Sequence, residues 1–202
     1  MSILVLATGN PGKQRELAAL LEGTGWEVRL QADYGVPEAD ETGLTFVENA
    51  LIKARHAARL TGLPVVADDS GIVVDALRGA PGIHSARFAG PGASDADNLA
   101  RLEHAMRDVP AGARRCRYVC VLAFLRHADD PCPVLAEGRW EGEVAIAPAG
   151  DGGFGYDPLF WLPQMGCTAA QLDFARKQAL SHRGQALREL LLRLPPGGAN
   201  LP

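Results

Sequence analysis

The chain has 202 residues, 47% of them hydrophobic, and a formal net charge of −4. These values suit one large domain, or one domain with two lobes, around a sizeable core, and they exclude an intrinsically disordered chain. No polybasic run is present, so tight binding along a nucleic-acid backbone is not expected, while a small basic pocket stays compatible with the balance.

The apolar run at residues 3–7 is too short for the hydrophobic region of a signal peptide, and no stretch approaches the length of a membrane span. A cytoplasmic protein with no membrane partner is the expectation. Cys116, Cys120, Cys132 and Cys167 form neither a CxxC pair nor a Cys/His ligand spacing. Cys116 and Cys120 share one face if their segment is a strand, which makes them core residues.

In chain order, residues 3–7 read as a first strand, followed by the turn Thr8-Gly9-Asn10-Pro11-Gly12 and a helix carrying Leu17, Leu20 and Leu21 at helical spacing. Residues 26–30 alternate as a second strand, and 37–43 are acidic and irregular. Thr45 and Glu48 form a capping box opening a helix to about Thr61, closed by Gly62 and Pro64. Residues 65–68 and 72–77 read as two strands, with Asp68-Asp69-Ser70-Gly71 breaking the run between them. Residues 78–93 are a Gly- and Pro-rich loop. Ser94 and Asp97 cap a helix running to about Val109. Residues 116–125 and 134–146 are strands, the second kinked near Gly138 and Gly142. Between Pro148 and Pro158 lies a second Gly-rich loop. A final helical region starts at Thr168 and runs through Ser181 to Leu194, and residues 195–202 are expected to fray. Strands alternating with helices, with two long strands adjacent near the end, argue for an α/β fold on a mixed sheet.

The adjacent carboxylates Asp68 and Asp69 end an apolar run, where they repel each other unless a cation or hydrogen-bond donors neutralise them. Hard oxygens of this kind suit Mg2+, which takes one or two carboxylates and leaves positions for water and phosphates. A surface turn is the plainer reading of Asp-Asp-Ser-Gly. The loop Thr8–Lys13, between a strand and a helix, offers helix N-terminal N–H groups and a mobile ammonium, which together form an anion site. It is not a Walker A loop, because Gly9 lies three residues before Gly12 and Gln14 stands where a Mg2+-binding Ser or Thr would be. Lys53 lies on an otherwise apolar face of its helix and is a second phosphate contact, while Glu48 is the capping acid and Arg55, His56 and Arg59 form a solvated face. In the loop 151–157, glycines allow close backbone approach to a flat ligand, Phe154 or Tyr156 can stack on a base, and Asp157 can accept from a ring N–H. Ser181, His182 and Arg183 follow Lys177 beside Gly184, which weakens the helix, and offer donors of different shape to a polar ligand.

Five segments, Thr8-Gly9-Asn10-x-Gly12-Lys13, Phe46-Val-Glu-Asn-Ala50, Ala67-Asp-Asp-Ser-Gly71, Gly153-Phe-Gly-Tyr-Asp157 and Ser181-His-Arg-Gly184, occur in this order. Together they resemble the inosine/xanthosine triphosphate pyrophosphatase family, over nearly the whole chain from Ile3 to about Leu192. The resemblance implies a single domain over 1–202: an elongated mixed β-sheet flanked by helices, with two lobes around a central nucleotide-binding cleft, usually as a homodimer. It implies Mg2+-dependent hydrolysis of dITP, ITP and XTP to the monophosphate and pyrophosphate. By position, Thr8, Gly9, Asn10, Pro11, Gly12 and Lys13 hold the triphosphate with Asn49 or Lys53. Glu41 and Asp69 bind Mg2+, Asp69 also being the proton acceptor, and Asp68 is an alternative for either role. Ser70, Phe154, Gly155, Tyr156, Asp157, Lys177, His182 and Arg183 contact the nucleoside. One departure is Arg176, where the family often has an acid before the lysine.

Hypoxanthine and xanthine present a 6-oxo group and an N1–H, whereas adenine presents a 6-amino group and a bare N1. A donor such as Arg183 facing O6 leaves adenine with mismatched pairs, and unpaired buried polar groups discriminate by up to ~10⁴-fold. A pyrophosphatase for other modified or pyrimidine nucleotides would share the phosphate chemistry, and a sensor would keep the pocket without turnover. No glycine-led helix carries the acid cluster of a Nudix hydrolase.

Overall fold

Strand β1 (Ser2–Ala7) is apolar from Ile3 to Ala7, with residues on both of its faces buried. It runs parallel to β2 (Trp26–Leu30) and to β3 (Val65–Val74). A strand buried on both sides needs helices over both faces, which parallel connections supply. The computed structural model describes residues 2–194. The tail at 195–202 lies outside the described residues. Seven strands form one sheet in the order β2-β1-β3-β4-β5-β6-β7, with β4 (Arg115–Leu125), β5 (Val134–Val144), β6 (Phe160–Leu162) and β7 (Cys167–Thr168). The β5–β6 and β6–β7 pairs are antiparallel, so the sheet is mixed, as expected.

The chain divides into two compact units. The first takes the residues up to Asp69, Cys120–Gly138 and the chain from Arg183 onward; the second takes Ser70–Val119 and Arg139–His182. In the first unit, alternation along the strands sorts side chains into two cores. Leu4, Leu6 and Val66 face one core with Leu17 and Leu21 of α1 (Pro11–Leu21) and Leu187 and Leu190 of α5 (His182–Leu191). Val5, Ala7, Val65 and Ala67 face the other, against Ala50, Ala54 and Ala57 of α2 (Phe46–Thr61). The alanines let that helix lie close to the sheet. Thr45 caps α2 as expected, its Oγ1 accepting from the Glu48 N–H at 3.2 Å, but the return arm of the expected capping box is displaced by one residue: Glu48 Oε2 accepts from the Leu44 N–H at 2.8 Å. Gly62 ends the helix at φ 68°, a left-handed conformation that favours glycine.

The second unit has one core, in which Ile72, Val74, Leu102 and Met106 pack with Tyr118, Trp140 and Phe160. Ser94 and Asp97 cap α3 (Asp95–Ala105). That helix stops short of Val109 because buried Arg114 collects the Met106 and Val109 carbonyls at 2.7 and 2.9 Å. It also takes those of Val144 and Ala145, at 2.7 and 2.8 Å.

Four expectations need correction. Asp68–Gly71 is no turn: β3 runs unbroken through it. The Gly-rich stretch after β3 holds two 3-10 turns, Asp75–Leu77 and Gly82–Arg87. The final helical region is not continuous: it is a 3-10 turn, Ala169–Gln171, then α4 (Phe174–Leu180) and α5, separated by Ser181 in extended backbone, and Gly184 lies inside α5. Arg55 is not part of a solvated face, since it donates to the Ala128 and Asp130 carbonyls at 2.7 and 3.3 Å. Cys116 and Cys120 are buried, and all four cysteines are free thiols.

The turn after β4 is closed by a carboxylate. Asp130, 1% exposed, accepts from the Arg126 N–H at 3.0 Å, from Arg126 Nε and Nη2 at 2.9 and 2.7 Å, and from the Cys132 N–H at 2.9 Å. The Arg126 guanidinium holds this carboxyl well below the usual carboxylate range, against the opposing effect of burial. A depressed folded-state pKa stabilises the fold at pH values above the ordinary carboxylate pKa, and that contribution fades as pH falls through the folded value. Asp130→Ala is therefore expected to lower unfolding free energy by about 2 kcal/mol at neutral pH. In urea titrations the gap between variant and parent should narrow as the buffer is made strongly acidic.

Candidate active site

In the first unit, β3 carries Asp68 and Asp69 side by side, 0% and 4% exposed. Two lysines from two helices make this tenable. Lys13, in the first turn of α1, places Nζ 2.8 Å from Asp68 Oδ2. Lys53, in the middle of α2, places Nζ 3.0 Å from Asp69 Oδ1 and 2.9 Å from Glu41 Oε1. Asn49, one turn earlier on α2 and fully buried, directs Nδ2 at Asp69 Oδ2 at 3.4 Å, while its Oδ1 accepts from the Gly43 N–H at 2.8 Å. The Glu41 segment is thereby tied to the helix. Gly43 has to be glycine, because a Cβ there would lie 2.5 Å from Glu48 Cβ.

The two carboxylates are driven apart electrostatically. Burial acts to raise Asp68, but the charges of Lys13, Lys53 and Arg183 outweigh it and leave the group at about 2. At Asp69 burial wins over the same lysines, with Glu41 adding to it, and the pKa is raised. Lys53, though desolvated, is raised by Asp68, Asp69 and Glu41 and stays charged. Neighbouring carboxyls with opposite shifts are suited to different tasks, one a fixed anion and one a proton acceptor.

The loop at residues 8–13 is held by hydrogen bonds of its own. Asn10 caps α1, its Oδ1 accepting from the Gly12 and Lys13 N–H groups at 2.9 and 3.1 Å. Thr8 is held from both sides, its carbonyl accepting from Gln14 Nε2 at 2.8 Å and its Oγ1 from the Asn10 N–H at 3.3 Å. The Gly12 and Lys13 N–H groups are thus engaged within the protein, and the loop's cation, Lys13, is paired with Asp68. A Cβ on Gly9 would lie 1.7 Å from Glu38 Oε1, so an acid rests against this glycine.

Glu41 Oε1 and Asp69 Oδ1 converge on the same ammonium, and this pair of hard oxygens fits a Mg2+ ion, which needs no more than two carboxylates when phosphate and water complete its shell. Asp68, next to Asp69 on the strand, pairs through Oδ2 with Lys13. No group of three His, Cys, Asp or Glu side chains is arranged for a metal among the described residues.

The second unit gathers the other expected residues. Asp157, 2% exposed, accepts from Lys177 Nζ at 2.6 Å, Tyr118 Oη at 3.2 Å and the Phe154 N–H at 2.9 Å. It is the anchor of the Gly-rich loop. Asp95 Oδ2 holds the Gly155 N–H at 3.0 Å. Tyr156 is not placed to stack on a base: its ring belongs to the core and its hydroxyl donates to the Ser85 carbonyl at 2.7 Å. Phe154 is half-buried, with Lys177 Nζ 4.7 Å above its ring centre. His182 is buried and stacks on Tyr118, with ring centres 4.5 Å apart. Ser70 is half-buried on β3. Arg176 is exposed and its N–H donates to the helix cap Asp173 at 2.7 Å.

Arg183 belongs to the first unit, where its Nη1 donates to Glu16 Oε2 on α1, both side chains being buried. Sequence reading passes over Glu16 and Tyr118. A lone glutamate on the core-facing side of a helix is the signal that could have found Glu16, since a buried acid needs a cation. Tyr118 sits in an apolar strand, where nothing local marks it.

A sequence model described as the Ham1 family matches residues 4–192. The dITP/XTP pyrophosphatase of Vibrio cholerae is 58% identical over 190 residues, covering 94% of this chain and 95% of that protein. The dITP/XTP pyrophosphatase of Escherichia coli K12 is 56% identical over 197 residues, covering 98% and 100%. Among solved structures, a HAM1 protein from Coxiella burnetii aligns with a TM-score of 0.89 at 46% identity, over 96% of this chain and 98% of that one. A nucleoside-triphosphatase / dITP/XTP pyrophosphatase from Mycobacterium abscessus aligns with a TM-score of 0.74 at 44% identity, over 94% and 98%.

Removing one partner of a buried ion pair leaves the other charge uncompensated. Glu16→Ala is expected to lower unfolding free energy by roughly 3–5 kcal/mol. Replacing Glu16 and Arg183 together by methionine should cost less than Glu16→Ala alone, as read by denaturant titration.

Proposed function

The chain belongs to the Ham1 family, and we propose on that premise that it is a nucleoside triphosphate pyrophosphatase, hydrolysing dITP, ITP and XTP to the monophosphate and pyrophosphate. The observation that carries this reading is the Asp68–Asp69 pair, buried in one strand and held by two lysines with its acidities split. Cleavage between the α and β phosphates needs a water activated in line with the leaving pyrophosphate. Asp69 is the proton acceptor for that water, its raised pKa making it the better base of the two. Lys13 and Lys53 offer charge to the phosphate oxygens as negative charge builds on the leaving group. Asp68 stays ionised and orients the Lys13 ammonium. Glu41 and Asp69 would hold Mg2+, which when bound neutralises phosphate charge and orients the leaving group.

In the second unit, Phe154 and Lys177 present a ring face and a cation, and Asp157 fixes the loop around them. Arg183 is the donor assigned to O6 of the base, with Glu16 orienting its planar fork. Work on the free nucleotide pool, keeping deaminated purines out of DNA and RNA, follows from that substrate class. A cytoplasmic homodimer accords with the reading.

The test is incubation with Mg2+ and dITP, XTP, dATP, dGTP or dUTP, with products separated. Release of monophosphate and pyrophosphate from dITP and XTP, with little from the others, is expected; diphosphate and phosphate, or equal turnover of all five, would contradict the proposal. Chelation of Mg2+ should abolish turnover and its return should restore it. Asp69→Asn should lower kcat by ~10³-fold while nucleotide binding persists in calorimetry. Arg183→Lys, which keeps the charge opposite Glu16, should reduce the dITP-to-dATP rate ratio more than it reduces the dITP rate itself; equal loss on both nucleotides would remove Arg183 from base selection.

A further inference from the structure

Two residues beyond Asp69, β3 is gripped by a segment to which the reaction scheme gives no task. A Cβ built on Gly71 would lie 2.3 Å from the Gly82 carbonyl oxygen and 2.4 Å from Ser85 Oγ, so the strand presses directly on the 3-10 turn Gly82–Arg87. The Ile72 N–H donates to Ser85 Oγ at 3.0 Å, and that hydroxyl donates in turn to the Gly82 carbonyl at 2.6 Å. The Ser85 carbonyl accepts from Tyr156 Oη at 2.7 Å. The preceding residues also fold back on the strand: Val73 and Pro81 form an antiparallel bridge, and the Gly79 N–H donates to the Val74 carbonyl at 2.9 Å.

We infer that Ser85 is a positioning residue of the reaction, its hydroxyl fixing the β3 backbone just beyond Asp69 and its carbonyl tying that backbone to Tyr156 in the Gly-rich loop. The inference rests on the pyrophosphatase reading, in which Asp69 takes the proton. A hydroxyl suits the place because it accepts from one backbone N–H and donates to one carbonyl at the same time. Alanine leaves the buried Ile72 N–H without that acceptor and relaxes the strand at Gly71. A misplacement of about 1 Å in a reacting group can cost ~10²-fold in rate. Ser85 carries no charge, so its loss leaves Lys13 and Lys53 in place for the phosphates. The effect therefore falls on kcat and spares KM. Tyr156→Phe removes the other end of the same link and acts in the same direction.

The experiment measures kcat and KM for dITP with Mg2+ in Ser85→Ala, Ser85→Thr, Tyr156→Phe and the Ser85→Ala/Tyr156→Phe double variant, with amide hydrogen exchange followed in each. Ser85→Ala is expected to lower kcat by ~10–100-fold with KM moved less than about threefold, and Ser85→Thr, which keeps the hydroxyl, should recover most of it. The double variant should lose less than the product of the single losses, as residues sharing one link do. Exchange at the Ile72 amide should quicken by about tenfold or more in Ser85→Ala, with α1 and α2 unchanged. Parental kcat in Ser85→Ala, or a loss that Ser85→Thr does not recover, overturns the assignment. So does a loss accompanied by faster exchange throughout the unit, which marks general destabilisation. If Ser85→Ala does not fold, Tyr156→Phe carries the same readings. If the parent protein releases no pyrophosphate from dITP, the functional proposal fails. Ile72 exchange then decides the positioning claim alone, unchanged rates in both single variants overturning it and localised quickening supporting it.

Discussion

Two ionised groups that are neighbours in sequence are buried in one strand, and the first unit is organised around making that tolerable. An isolated carboxylate taken out of water is strongly disfavoured, and two adjacent ones add mutual repulsion. Lys13 and Lys53 supply the compensating charge from separate helices. The positions of α1 and α2 against the sheet are thus set by electrostatics as well as by the leucine and alanine faces that pack there. The same geometry explains why the two acids differ. Asp68 is surrounded by cations and stays ionised, whereas Asp69 shares Lys53 with Glu41 and burial prevails.

Two further buried ion pairs repeat this arrangement. Asp157 and Lys177 anchor a loop whose glycines would otherwise leave it little reason to keep one shape, and Tyr118 shares that anchor while its ring stacks on His182. Glu16 holds the Arg183 guanidinium. Such pairs add little net stability compared with apolar packing, but the loss of one partner is expensive. They are therefore better read as fixing the direction of specific side chains than as strengthening the fold.

Much of this was legible in the sequence where the cause is local. The apolar run of β1, the Thr45 cap of α2 and Gly62 each depend on residues within a few positions, and each stands where expected. The same holds for the α/β fold on a mixed sheet. Asp68–Gly71 misleads because Asp, Ser and Gly are turn formers by propensity, while the cations that keep them in a strand come from residues 13 and 53. The split at Ser181 is similarly hidden. Gly184 carries the local signal for a break, yet it is buried inside α5. Arg55 looks like surface charge until its carbonyl partners, from Ala128 to Asp130, are brought to it. Glu16 finds its cation 167 residues away, a distance over which sequence pattern says nothing.

The direct test of this account is a titration of the aspartate side-chain carboxyl resonances by carbon NMR in protein labelled at aspartate, with Asp68 and Asp69 assigned by substitution. The Asp68 resonance should stay in its ionised position until the pH approaches about 2, while Asp69 titrates above the ordinary carboxylate range. Titration of both groups at an ordinary carboxylate pKa, or in the reverse order, would contradict the claim that two lysines hold one carboxylate as a fixed anion and leave its neighbour as the base.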